Sequence, residues 1–398
     1  MRRRHFLSLA LAGAVGAGVE RFAQAASERK LRVAAIGHTG HGAFGHDLDL
    51  VWSRLSQTEV VAVADADPAG LAARQKKLGP VEGFADYRRM LSMVKPDIVA
   101  ICPRFVDERR EMVLAAIESG AKGIHLEKPF CRTPAEADEL VAACQRGNVK
   151  LALALRNRYH PALPVAAKLV ADGAIGQVVE LRARGKEDHR GGALDLWVLG
   201  PHVLNLCVYF AGKPLMCSAS LLQDGRPTTR ADLREGAEGV GLIAGNAVHA
   251  RFEMERGAPA FFDSVIGAGV AKAGFGVQIV GTDGVVDLRM DTEPMANLLA
   301  GNPFQPTSEA RAWTPISSAG LGKPEPIADL KAQMAGHFPV ALDLLAAIAD
   351  DRPPLCSAAD GRTTVEMISA VFESHRFAGR RVTFPLTTRE NPLGLPES

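Results

Sequence analysis

The stretch from Leu31 to Gly45, LRVAAIGHTGHGAFG, constrains this chain more than any other. An apolar run holding Leu31, Val33, Ala35 and Ile36 stops at Gly37. Glycines then recur at Gly40, Gly42 and Gly45, and helical spacing runs from Ala43 to Ser56. Such a run reads as a strand buried on both faces of a parallel sheet. Glycine permits a tight turn and lets the backbone approach a pyrophosphate seated at the amino terminus of the following helix. Strand, turn and helix together predict a dinucleotide site, with Gly37, Thr39, Gly40, His41 and Gly42 beside the phosphates. Gly40, Gly42 and Gly45 satisfy G-x-G-x-x-G, but three residues past the strand end, so the phosphate loop reads as lengthened. A plain turn at a strand end is the alternative. His38, His41 and His46 crowd the loop without paired carboxylates or cysteines, and no metal is expected.

A chain of 398 residues exceeds what one core normally holds, so two domains are expected. The net charge of +1 gives no reason to invoke nucleic acid or an anionic membrane. Residues 1–25 are set apart: Arg2, Arg3 and Arg4 precede Phe6-Leu7, an apolar small-residue run reaches Val19, and Ala23-Gln24-Ala25 offers a cleavage site. This resembles a twin-arginine export signal, and the expected location is periplasmic or otherwise exported. An uncleaved anchor is the alternative, but the run is short and glycine-rich for a span. The six cysteines show no C-x-x-C, and no essential disulfide is expected.

A βα alternation continues after the glycines. Glu59 to Ala64 reads as a second buried strand ending at Asp65, about twenty residues on, where a carboxylate accepts from ribose hydroxyls and repels a 2′-phosphate. No basic residue follows in Ala66-Asp67-Pro68, so NAD is favoured over NADP. Asp65 as a helix cap is the alternative, with Asp67 better placed to cap. Strands at 97–102, 123–126 and 149–155 and helices at 107–119 and 134–145 complete a doubly wound parallel sheet over residues 26–156. Its ligands belong at the carboxyl ends of the strands, where Pro103, Arg104, Glu127 and Lys128 fall. Residues 157–398 read as an α+β domain with an open, mainly antiparallel sheet: strands at 178–184, 247–255, 261–266, 277–281, 285–288 and 381–384, helices at 161–171, 337–349 and 358–377, and an irregular stretch at 291–330.

Glu127-Lys128-Pro129 at a strand exit resembles the glucose–fructose oxidoreductase / inositol dehydrogenase (Gfo/Idh/MocA) family. Arg158-Tyr159-His160-Pro161, Asp172 to Gly176, Gly200-Pro201-His202, and Asp360-Gly361-Arg362 leading to Gly379-Arg380-Arg381-Val382 match it in order along nearly the whole chain after residue 26. The resemblance implies an NAD(P)-dependent oxidoreductase of a sugar, sugar derivative or cyclitol. In it Lys128 faces the nicotinamide and the substrate hydroxyl, His202 is the acid/base or hydroxyl ligand, and Arg158 belongs to the cofactor set. It also implies substrate binding by the second domain and pairing of copies through the outer face of its sheet. A solvated Lys128 and a capping or core His202 are the bland alternatives.

One departure matters. Many relatives carry an Asp four residues before this histidine, and here that position is Val198. Asp195, seven residues ahead, is the nearest acid, but on a continuous helix it lies roughly 10 Å along the axis. It reads equally as a catalyst and as a helix cap. Lys186, Asp188, His189 and Arg190 fall where the family's substrate loop lies and suit a polyhydroxylated ligand, or form a solvated loop. The expectation is an exported oxidoreductase holding its nucleotide tightly and regenerating it in place. A non-catalytic sugar- or dinucleotide-binding protein is the second reading, favoured by Val198.

Overall fold

The computed structural model describes residues 29–268 and 274–396, so the segment read as an export signal lies outside the described residues. Six strands form the first sheet: β1 (Leu31–Ile36), β2 (Thr58–Ala64), β3 (Glu82–Phe84), β4 (Ile98–Ile101), β5 (Gly123–Leu126) and β6 (Lys150–Leu153). All pair in parallel in the order β3-β2-β1-β4-β5-β6. The chain direction across the sheet reverses between β1 and β4, which is where a doubly wound sheet opens a ligand crevice. Helices α1 (Pro68–Leu78), α2 (Tyr87–Val94), α3 (Arg109–Glu118) and α4 (Pro134–Gly147) make the crossovers. Asp67, Asp86 and Thr133 cap the first, second and fourth of these through their side chains.

The helix expected over Ala43 to Ser56 does not form. Ala43, Gly45 and Asp47 take φ of 50°, 58° and 57°, which breaks any α-helical ladder, and only a 3₁₀ turn at Leu50–Arg54 remains. The apolar spacing was still meaningful, because Phe44, Leu48, Val51 and Trp52 are all buried. They reach the core from a string of turns. The Phe44 ring lies where a side chain on Gly37 would project, 2.2 Å from the position of its Cβ.

After a 3₁₀ turn at Arg156–Tyr159, the second domain opens with α5 (Ala162–Ala171), β7 (Val178–Arg184), α6 (Ala193–Val198), α7 (Gly200–Ala211) and β8 (Pro214–Gln223). Short strands β9 (Arg226–Pro227), β10 (Arg234–Glu235) and β11 (Leu242–Ile243) lead to β12 (Ala247–Met254), β13 (Ala260–Val265), β14 (Gly276–Gly281), β15 (Gly284–Arg289), β16 (Ala296–Ala300), β17 (Trp313–Ser317) and β18 (Gly320–Leu321). With β19 (Val382–Thr383) they make a sheet in the order β18-β17-β16-β15-β14-β7-β13-β12-β8-β19, in which β13 and β7 pair in parallel and the other pairs are antiparallel. β9 pairs with β8 off this path, and β10 and β11 form a separate hairpin. Residues 291–330, expected to be irregular, supply three of these strands. Buried Ala296 and Leu298 carry the alternation that the proline-rich surroundings hid.

Helices α8 (Leu330–Ala335), α9 (Phe338–Ala349) and α10 (Ala358–Arg376) return to the first domain. α9 packs on β5 and β6, and a Cβ on Gly123 would sit 2.6 Å from Ile348. α10 lies between α4, α7 and β8, buried along nearly its whole length from Thr364 to Ser374. Within it, Gly361 presses on Phe130, with a would-be Cβ only 2.6 Å from the ring.

That contact sets two effects against each other. Alanine is a better helix former than glycine by about 1 kcal/mol, but overpacking against a buried ring costs about 1–3 kcal/mol. Gly361→Ala is therefore expected to destabilise the protein by about 1 kcal/mol or more. A lowered urea midpoint at unchanged slope is the measurement that checks it.

Candidate active site

The Glu127-Lys128-Pro129 turn leaves β5 and is held from below by a buried guanidinium. Arg109, in the first turn of α3, donates to the carbonyls of Glu127 and Pro129, to that of Pro103 at 2.5 Å and to that of Phe105 at 3.3 Å. One cation thus ties the β4 exit to the β5 exit. Its burial lowers the guanidinium to about 10, with Glu127 opposing. Nothing in the local sequence pattern singled out Arg109.

Glu127 is 1% exposed. One carboxylate oxygen accepts from His46 Nδ1 at 2.8 Å and the other from the backbone N–H of Lys128 at 2.9 Å. Burial alone would raise this carboxyl, but the hydrogen bond and charge of His46, with Lys128, hold it well below the usual carboxylate range. Lys128, 6% exposed, donates from Nζ to the Val198 carbonyl at 2.9 Å across the domain boundary. Burial lowers its ammonium below the ordinary lysine value, against the pull of Glu127 and Glu238.

Lys128 opens into a cleft of about 100 Å³ shared with His46, Arg104, Arg156, His202, Phe275 and His337, among others. His202 enters from the first turn of α7, its ring edge-on to Phe275 with centroids 6.4 Å apart. Its Nδ1 is shut off from solvent without a partner among the described residues. Burial, and then the charges of Lys128 and Arg156, press its pKa to about 3, so the ring is neutral at pH 7. Lys186 and Arg190 also line this cleft. Lys186 stands 3.6 Å from Asp291, while Arg190 is clamped by Asp188. His189 points away, its side chain 85% exposed.

Two expected site residues sit elsewhere. Asp195 is on α6, which is broken from α7 at Leu199, and its fully buried carboxylate accepts from Ser264 Oγ at 2.6 Å and from the Glu187 N–H at 2.9 Å. It fastens the 186–190 loop to β13 and does not line the cleft, so it is a positioning residue. Arg158 stacks on Tyr209 at 4.1 Å, while Arg156 faces the cleft instead. The 3₁₀ turn there puts the two arginines on different sides.

A second cleft, of about 200 Å³, lies at the ends of β1 and β2 and is lined by Gly37, Asp65, Ala66, Tyr87 and Glu108, among others. Asp65, 1% exposed, accepts from Thr39 N at 3.0 Å, Thr39 Oγ1 at 2.7 Å and Asp67 N at 3.0 Å. It sets the glycine loop. Gly40 and Gly42 have φ of 84° and 87°, and Gly42 packs directly on the Arg104 backbone beside buried Pro103. Between the two clefts the loop is joined to the β4–α3 segment by His38 with Glu108 at 2.8 Å and His41 with Asp107 at 2.8 Å. No group of three or more His, Cys, Asp or Glu among the described residues is placed to hold a metal ion.

The arrangement defines a class: a two-domain protein with a dinucleotide-type sheet, whose fifth strand delivers a lysine to a histidine of the second domain. Residues 31–155 match the model of the Gfo/Idh/MocA oxidoreductase family, described as an NAD-binding Rossmann fold. The chain is 34% identical over 137 residues to D-apiose dehydrogenase of Paraburkholderia graminis, a match covering 34% of this chain and 36% of that one. It is 29% identical over 217 residues to D-glucoside 3-dehydrogenase of Escherichia coli, covering 48% and 56%. These matches span about a third to just over half the length of the curated relatives. Levoglucosan dehydrogenase in complex with NADH and levoglucosan superposes with a TM-score of 0.70 at 20% identity over 90% of this chain and 100% of that one, a likeness of fold.

Beneath the cleft, His125 stacks edge-on against Trp52 and His337, with neither ring nitrogen partnered among the described residues. Burial lowers its pKa to about 4. Unfolded chains take up this proton near 6.5, so between these values the unfolded state binds more protons and acid destabilises the fold. From pH 7 to pH 5 this one site is expected to remove about 2 kcal/mol. His125→Leu should flatten the pH dependence by that amount, as read by urea unfolding at both pH values.

Proposed function

We propose that this protein is an NAD-dependent oxidoreductase acting on a CH–OH group of a sugar, sugar derivative or cyclitol. The observation that carries this reading is the buried Lys128 ammonium anchored to Val198 of the second domain, in the same cleft as His202. The residues fit a dinucleotide. The cleft at β1 and β2 supplies Gly37, Asp65, Ala66 and Tyr87 for an adenosine end, and the cleft at β5 supplies Glu127 and Lys128 for a nicotinamide end. Asp65 and its neighbour Asp86 in the first cleft disfavour a 2′-phosphate. A bound nicotinamide would supply the hydride acceptor. Lys128 would orient the substrate hydroxyl and stabilise negative charge developing on its oxygen, in a cleft dry enough for that charge to matter. His202, neutral at pH 7, would bind a hydroxyl through hydrogen bonds. Arg156, Lys186 and Arg190 give the remaining hydroxyls polar partners.

Several curated relatives are named as dehydrogenases of sugars or sugar derivatives, which supports the substrate class. The twin-arginine pattern at residues 1–25 supports export in a folded state. Outside the cytoplasm the nucleotide would stay bound and be regenerated in place, so the overall reaction would be redox-neutral. Pairing of two copies through the open face of the second sheet is part of this proposal.

Lys128→Ala is expected to lower sugar-driven change in nicotinamide absorbance at least about 100-fold while leaving the nucleotide bound, as checked by mass spectrometry of the denatured protein. A wild-type protein that keeps its nucleotide but responds to no polyol would instead support the binding-protein reading.

A further inference from the structure

Position 198 is a valine, and of the carboxylates that line the cleft besides Glu127, Asp291 is paired with Arg156 and Lys186 while Glu238 has its Oε2 buried without a hydrogen-bond partner among the described residues. Lys128 is committed to the Val198 carbonyl, and His202 is held neutral with a pKa near 3, a weak base at pH 7. Asp195 is turned away into the core. The remaining ring with free access is His46. Its side chain is 42% exposed and lines the cleft, and its Nδ1 is fixed 2.8 Å from the buried Glu127 carboxylate. Its Nε2 has no hydrogen-bond partner among the described residues.

The glycine loop is shaped to make this pair. Gly45, with φ of 58°, lies so close to the β4 and β5 exits that a Cβ there would stand 2.3 Å from the Cys102 carbonyl and 2.9 Å from Glu127 Oε2. No other residue could bring the backbone this near, and the next residue is His46. A carboxylate hydrogen-bonded to one imidazole nitrogen fixes the tautomer and leaves the other nitrogen's lone pair facing the cleft. The other Glu127 oxygen holds the Lys128 N–H, so the base and the lysine share one scaffold.

We propose that Glu127 and His46 form the general-base pair of this site, with His46 Nε2 taking the substrate hydroxyl proton. The proposal rests on the oxidoreductase reading above. In the step, the O–H bond breaks with its proton going to Nε2, the carbinol C–H bond breaks with its hydride going to a nicotinamide, and C=O forms. In reverse His46 returns the proton. Glu127 does not touch substrate and acts as a positioning residue. The titratable and charged groups facing His46 are Glu127, Lys128 and His337, with Arg104, Arg156, Lys186, Arg190, His202, Glu238 and Asp291 around the rest of the cleft.

Nitrogen-15 NMR of histidine side chains in the full-length protein, with His46→Gln to assign the signal, tests the pair without turnover. His46 is expected as the Nδ1–H tautomer, shifting toward Nε2–H in Glu127→Gln; an Nε2–H wild type would overturn the proposal. With D-apiose, levoglucosan and methyl β-D-glucoside as probes on the nucleotide-loaded protein, His46→Gln should reduce kcat about 100-fold or more at unchanged nucleotide Kd. Added imidazole should restore part of the rate to His46→Ala, a rescue that a structural role does not give. Turnover of His46→Gln within about threefold of an active wild type would remove the role of His46 alone. A loaded wild type inert to every probe would remove the oxidoreductase reading and this role with it.

Discussion

A single carboxylate sealed from water organises the crevice. An ionised Glu127 with no solvent contact must be compensated by the protein itself, because a buried charge left unpaired costs several kcal/mol. Compensation comes from His46 on the glycine loop and the N–H of Lys128, while Arg109 grips the same turn through its carbonyls. Three separated segments therefore converge on the exit of β5. The position of the lysine follows from this convergence: the side chain leaves a turn whose backbone has no freedom to drift.

The second domain completes the crevice from the opposite side. Val198 offers only its carbonyl, but it offers it from the break between α6 and α7, where the chain has no helical partner for that oxygen. Asp195 holds the neighbouring loop by bonding Ser264 and the backbone at Glu187, a residue at φ 55°. Lys186 and Arg190, which line the cleft, thus lie on a loop fastened by groups outside it. The acid that read equally as a catalyst and as a helix cap is instead a fastener: the break at Leu199 leaves it on a separate helix, with its carboxylate on Ser264 and the Glu187 N–H.

The fold was legible where one periodicity dominated. Runs such as Ile98 to Ile101 admit only a buried parallel strand, and the helices flanked by Asp67 and Thr133 announce their own starts. The segment after the glycines misled because its apolar spacing, Phe44, Leu48, Val51 and Trp52, is that of a helix, whereas positive φ at Ala43, Gly45 and Asp47 decides the backbone. Spacing reports which residues are inside, and here two backbone forms satisfy it. In the site, Lys128 and His202 were found through motifs, and Arg156 was displaced by Arg158 because a 3₁₀ turn rotates neighbours differently from a helix. Arg109 and the link from His46 to Glu127 were invisible, since partners 18 and 81 residues apart leave no local pattern.

The return of α9 and α10 to the first domain gives chain growth a consequence. Part of the face of β5 and β6 is roofed by Leu344 and Ile348 and the turn after Lys128 is braced by Gly361, so the sheet that would seat a nucleotide is unfinished when its own strands have left the ribosome. Maturation of the crevice waits on more than 200 further residues, from Leu153 at the end of β6 to Arg376 at the end of α10. Any ligand seated there would be captured only after that stretch has been made.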